Sequence, residues 1–210
     1  MEGIINLPLF FISSIMIIIA PGPDFIYVTT RSISDGNKAG ILSAIGVCVG
    51  LLIHTMFAAF GLSAIIQTSR VAYLIIKYIG AAYLIYIGIK AIITKANVES
   101  SNVTSLNKNG KIFKQAVLTN IFNPKAIVTF MAFLPQFVEV NVSNHISQFL
   151  CLGCIFSLMA ILWFGLIGYF AGTAGGFLKR NKSIQSIMRY ISGTIMIASV
   201  SYTHLTLPTN

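Results

Sequence analysis

The sequence predicts an all-α integral membrane protein. Six transmembrane helices form two inverted three-helix repeats, with helices 1 and 4 broken at proline and helix 6 truncated. Three observations carry that prediction. Of 210 residues, 56% are hydrophobic and 9% charged, and the mean hydropathy is +0.84. A water-soluble domain is roughly a quarter charged, and a chain this small must still cover a large surface with polar groups, so lipid is the solvent that fits. The apolar residues also form long runs rather than strand-length ones. Finally, one polar stretch divides those runs three and three, and the first run of each half carries a proline beside an ionisable residue.

A bilayer core of about 30 Å needs roughly 20 apolar residues in a helix. Ile4–Val28, Gly40–Ile66, Val71–Ile93, Ile112–Val138, Ile146–Phe177 and a last stretch from Ile187 are of that order or approach it. The opening Met1-Glu2-Gly3 carries no positive charge, and the run after it is too long for a cleaved signal peptide and contains Pro8 and Pro21, so it reads as span 1. Residues 1–94 make the first repeat, 95–111 an Asn- and Ser-rich cytoplasmic linker, and 112–199 the second repeat. The sequon Asn102-Val103-Thr104 falls in that linker, away from any glycosylation machinery. Residues 200–210 interrupt span 6 with a polar peptide that resembles the translation of a transposase adapter used in DNA library preparation. We read that tail as non-native and do not read His204 as a site.

The net charge of +9 is a positive-inside signal rather than a nucleic-acid patch, and no nucleic-acid partner is expected. Arg31 and Lys38 follow span 1; Lys90, Lys95, Lys108, Lys111 and Lys114 surround the link between spans 3 and 4; Lys179, Arg180, Lys182 and Arg189 lie between spans 5 and 6. The intervening links carry little. Those three basic loops are therefore cytoplasmic and the N-terminus lies outside. An odd number of spans per half then requires the second half to be inserted upside down, the inverted-repeat plan of many secondary transporters.

The interruptions carry the chemistry. Pro21 and Pro23 flank Gly22 and break span 1, because proline removes a helical hydrogen bond and clashes with the preceding turn. Freed backbone groups in lipid must be satisfied by protein or a water-filled cavity. A half-helix starting near Asp24 presents N–H groups and a positive dipole end suited to a carboxylate. Pro124 does the same in span 4, with Asn123 able to cap the next half-helix. Asp24 and Lys125 cost several kcal/mol each on insertion scales, about 2.5–3.5 at mid-bilayer. They could pair across the repeat interface; alternatively Asp24 carries a proton or grips an ammonium group while Lys125 grips a carboxylate. His54, one turn after Gly50, is either a proton-coupling group or a hydrogen-bonded core histidine. Tyr83, Tyr86, Asn120 and Gln136 are further polar candidates.

Glycines recur at Gly36/Gly40, Gly46/Gly50, Gly168/Gly172 and Gly172/Gly176, a spacing that permits close helix packing within one chain and also a homodimer face. Cys48, Cys151 and Cys154 have no nearby partner residues that would make a redox or zinc site, and read as packing residues; no metal or cofactor is expected. No Walker loop, G-x-S-x-G elbow or His-Glu-x-x-His occurs, so neither ATP-driven nor standard hydrolytic chemistry is written here, and the chain is not expected to be an enzyme.

Three blocks in order resemble the lysine-exporter (LysE/RhtB) amino-acid efflux family: Pro21-Gly22-Pro23 with Gly36, Gly40, Gly46 and Gly50; Lys77-Tyr78-Ile79-Gly80-Ala81-Ala82-Tyr83-Leu84 with Gly88; and Phe113, Asn120, Asn123-Pro124-Lys125-Ala126 with Phe133-Leu134-Pro135-Gln136-Phe137. The resemblance implies a bacterial inner-membrane exporter of amino acids or derivatives (threonine, homoserine, homoserine lactone, leucine or lysine), driven by a proton or ion gradient. The family motif carries over to Pro21, Gly22, Pro23, Asn123, Pro124 and Lys125. Asp24 is common at its place but not universal, and its role rests on physics. The alternatives are an intramembrane thiol-redox enzyme, which would want cysteines where spans 1 and 4 carry prolines, and a metal-ion exporter, for which one intramembrane acid is a poor ligand set.

Overall fold

The structure, a computed structural model, describes residues 4–79, 109–142 and 144–178. Tyr83 and Tyr86, most of the predicted linker, span 6 and the polar tail lie outside the described residues. The described residues are helical throughout, apart from turns and one antiparallel bridge pair between Ile4 and Val138.

Helix α1 (Leu7–Ile19) starts after Asn6, whose φ of 51° is left-handed, with Pro8 in its first turn, where a missing N–H costs nothing. It stops at Ala20 because Pro21 cannot extend it. Helix α2 (Pro23–Asp35) begins on the second proline and ends at Gly36, whose φ of 92° suits glycine. The two are bent by 52° at the break. Helix α2 runs well past Val28, so Arg31, expected in a loop, is instead buried inside a helix.

Helix α3 (Asn37–Phe57) passes through a wide turn at Ala58–Leu62 into α4 (Ser63–Thr68), and together they form one apolar stretch of 32 residues. Ser69 is extended, and its hydroxyl accepts from the Ala72 N–H, opening α5 (70–79). Helix α6 (Asn109–Ile121) begins inside the predicted linker rather than after it; α7 (Pro124–Val128) follows, then a wide turn at Thr129–Phe133 and a tight one at Leu134–Phe137. The bend between α6 and the helical stretch from Pro124 to Phe137 is 50°. Helix α8 (His145–Leu178) is one long rod. By length and composition, Asn37–Thr68 and His145–Thr173 can each cross a membrane, and each bent pair can supply one more span.

Helix α3 sits centrally, packed on α6 and α8, while α2 packs on α3 and α8. Glycine makes this possible: a Cβ on Gly46 would lie 2.6 Å from the Ala116 methyl, and one on Gly40 would lie 2.5 Å from the Gly168 carbonyl. Ser32 also donates its hydroxyl to that carbonyl. An aromatic cluster of Phe10, Phe133 and Phe137 closes the end where the chain starts, with ring centroids 4.9–5.7 Å apart. There the Ile5 N–H bonds the Phe137 carbonyl (2.9 Å) and the Tyr73 hydroxyl bonds the Pro135 carbonyl (2.8 Å). Large apolar side chains such as Phe57, Phe60, Phe122, Leu158 and Phe170 point outward, the surface that a lipid solvent requires.

Candidate substrate site

Both helix breaks face each other. Pro21 and Gly22 form the gap between α1 and α2, and Pro23 and Asp24 are the first two residues of α2. Across from them, Asn120 lies in the last turn of α6, Asn123 caps α7, and Pro124 and Lys125 open it. The Asn123 side-chain oxygen accepts the Lys125 backbone N–H (3.0 Å), the cap expected from the sequence.

Asp24 and Lys125 do not pair; among the described residues the ion pair is Arg31–Asp35 at 3.0 Å. Instead each charge is held by the opposite break. Asp24 Oδ2 accepts from both Asn120 Nδ2 (2.9 Å) and Asn123 Nδ2 (2.8 Å). Lys125 Nζ reaches back and donates to the Ala20 carbonyl (2.6 Å), the last residue before the first break. Helix-end chemistry explains both choices. A helix C-terminus has unsatisfied carbonyls and a negative dipole end, which attract a cation; a helix N-terminus favours an anion in its first turn. Asp24 is also on hand to interact with its own helix's N-terminus, and Asn123 already takes the Lys125 N–H. The start of α7 is thus partly self-satisfied rather than a bare anion site, and the start of α2 carries its own acid, Asp24.

Asp24 Oδ1 is buried without a hydrogen-bond partner, as is Asn120 Oδ1. Asp24 and Lys125 line a cavity of about 30 Å³ together with Thr129 and a mostly apolar wall from Ile17, Ile18, Leu51, Ala126, Phe156, Ala160 and Phe164. Close approach at two glycines shapes the site. A Cβ on Gly22 would meet Lys125 Cδ at 3.2 Å, and one on Gly50 would meet Asn120 Oδ1 at 2.5 Å. His54 is beside this site rather than in it: Nε2 lies 3.2 Å from the Asn120 carbonyl, and the ring stacks on Phe130 at 5.7 Å. Asn120 therefore touches His54 with its backbone and Asp24 with its side chain. Gln136 is elsewhere, donating to the Ala132 carbonyl (3.1 Å). Cys151 and Cys154 are free on α8, Cys154 exposed, and the Cys48 thiol lies 3.7 Å from the Ser157 carbonyl.

Two groups of residues were not singled out from the sequence. Phe156, Ala160 and Phe164 line the cavity at helical spacing on α8, a stripe indistinguishable from core in a uniformly apolar run. Toward the other end of α2, the Tyr27 hydroxyl donates to the Ile112 carbonyl (3.0 Å), and Arg31 donates to Gln115 Oε1 (3.1 Å) and Asp35 (3.0 Å), tying α2 to α6. Their spacing of four along α2 was the available signal.

A "Leucine efflux protein" of Enterobacter sp. (strain 638) is 27% identical over 198 residues, 93% of each chain, and one of Salmonella choleraesuis (strain SC-B67) is 26% identical over 196 residues, 93% of this chain and 92% of that one. The "Uncharacterized membrane protein YrhP" of Bacillus subtilis (strain 168) is 34% identical over 191 residues, 87% of this chain and 90% of its own. No solved structure matches. The family described as LysE type translocator matches residues 15–200, and the chain belongs to that family.

Proposed function

We propose that the chain is a secondary transporter that exports amino acids or close derivatives from the cytoplasm by proton antiport across a bacterial inner membrane. The observation that carries this reading is the Asp24 carboxylate. One oxygen is held by two amides, and the other is buried without a hydrogen-bond partner on a residue that lines, with Lys125, a largely apolar cavity. A proton and a substrate ammonium group compete for such an oxygen, and mutually exclusive occupancy of one site is what antiport requires. Lys125 has three donors and uses one on Ala20, leaving donors for a carboxylate. The substrate is a zwitterion whose side chain enters the apolar wall; leucine fits that description, and the efflux proteins named above are consistent with it.

Two inverted three-helix repeats account for the nearly equal bends of 52° and 50° at the two breaks. With the basic links on the cytoplasmic side and the N-terminus outside, the Tyr27–Ile112 and Arg31–Gln115 contacts close the cytoplasmic end, and the Phe10–Phe133–Phe137 cluster closes the outer one. A cavity of about 30 Å³ holds a water or two and not an amino acid, so transport requires one end to open at a time. The thiol-redox alternative gains no support, since no cysteine lines the cavity among the described residues.

The test is export of a radiolabelled amino-acid panel from loaded vesicles under an imposed pH gradient. Wild-type protein exports at least one aliphatic amino acid, and Asp24→Asn, inserted at normal levels, loses gradient-driven export. Unchanged export in Asp24→Asn sinks the coupling role.

A further inference from the structure

We infer that Ala160 sets the largest substrate side chain the transporter accepts, which restricts it to aliphatic amino acids up to about leucine size and excludes aromatic ones. The inference rests on the exporter reading above and deepens it.

The cavity has a polar side, Asp24 and Lys125, and an apolar side. A zwitterion whose ammonium and carboxylate groups engage those two residues must direct its side chain at the apolar wall. Thr129 adds little polarity there, because its hydroxyl donates to the Lys125 carbonyl at 2.8 Å. Phe156, Ala160 and Phe164 are spaced four apart on α8 and therefore stand on one face, one turn above another. Two phenyl groups with a methyl between them leave a notch, and Ala160 is its floor.

With both ends closed, the upper wall of the notch is held in place. The Phe156 ring is set edge-on against Phe130 at 5.6 Å and 79°, and tilted against Phe133 at 6.4 Å. Phe130 in turn stacks on His54, whose Nε2 is at hydrogen-bonding distance from the Asn120 carbonyl. Phe156 is thus braced by a chain of rings that ends on the same residue that orients Asp24. All three ring-bearing neighbours, Phe130, Phe133 and Phe156, are buried. Ala160, buried at 1% exposure, is the small residue between the two rings on this face, and its side-chain volume sets the depth of the notch.

A single methylene in a hydrophobic pocket is worth about 10- to 200-fold in discrimination. The experiment measures export of alanine, leucine and phenylalanine from vesicles by wild type, Ala160→Leu and Ala160→Gly. Wild type exports leucine in preference to phenylalanine. Ala160→Leu lowers leucine export at least about 10-fold relative to alanine. Ala160→Gly raises phenylalanine relative to leucine by a similar factor; that gain cannot come from misfolding, and so keeps the inference testable if the leucine variant inserts poorly. Two inserted variants whose substrate ratios equal those of wild type overturn the role of Ala160 and leave the exporter reading standing. A wild type that exports none of a full amino-acid panel overturns the exporter reading and this inference with it.

Discussion

Gly22→Ala isolates the contact that the broken helix exists to make. Gly22 has φ −161° and ψ −175°, extended backbone that any residue adopts, so alanine carries no conformational penalty there. What alanine adds is a methyl 3.2 Å from Lys125 Cδ and 3.6 Å from Nζ. The nearer contact is a few tenths of an ångström too tight, and the lysine stem, being flexible, is the part that yields. Its ammonium then leaves the Ala20 carbonyl, now 2.6 Å away. A hydrogen bond to a charged group is worth about 1.5–3 kcal/mol, which corresponds to about a 10- to 150-fold loss in export rate. The assay is vesicle efflux of the best-exported amino acid, with thermal unfolding in detergent as a parallel readout. Both are run as a double-mutant cycle with Lys125→Ala. If the methyl acts through Lys125, Gly22→Ala costs almost nothing further once Lys125→Ala is already present. A full penalty in that double variant, or none in wild type, refutes the reasoning: the first would place the effect on the backbone, the second would show that the lysine has room.

Other substitutions separate recognition from assembly. Lys125→Ala should weaken export of substrates with a free carboxylate more than export of a lactone, measured by competition in the same vesicles; equal loss for both argues against carboxylate binding. Gly50→Ala should lower the yield of folded protein and its melting temperature, because the new methyl meets Asn120 Oδ1 at 2.5 Å and Asn120 Cβ at 2.7 Å, an overpacking cost of about 1–3 kcal/mol. Gly61→Ala, with nothing within 4 Å, is the matched control and should be neutral or slightly stabilising in the same melt.

The parts of this molecule that a sequence makes legible are those governed by local chemistry. Proline dictates where α1 and α6 stop, whatever packs around them, and Asn123 next to Pro124 is a cap by residue type alone. The apolar runs needed only a solvent. Arg31 shows where composition misleads. Counted as a basic residue after an apolar run, it reads as a loop charge. Yet Tyr27 and Asp35 stand four residues to either side, its guanidinium lies over the Tyr27 ring at 5.6 Å, and the three make one polar stripe that lets α2 continue past the apolar run. Periodicity held that information, and net charge hid it.

The arrangement of Asp24 and Lys125 was illegible for a different reason. Opposite charges in corresponding places suggest a pair, and in a uniform low-dielectric medium they would attract strongly. A broken helix is not such a medium. It creates two strong local partners, a bare carbonyl end for the cation and a first turn for the anion, and the fold then brings two amides from the other break to the carboxylate. With their charges stabilised separately, neither residue must be released from the other before a substrate can bind. A direct pair would have to be broken and its desolvated ions re-solvated in each cycle, and removing one partner of a buried pair costs about 3–5 kcal/mol. The separated arrangement leaves Asp24 Oδ1 without a hydrogen-bond partner and Lys125 with donors to spare, both on residues that line the cavity, and in the exporter we propose a zwitterion would supply both missing partners at once. Holding the two charges close but apart is therefore a better design for a transporter than the salt bridge their signs suggest.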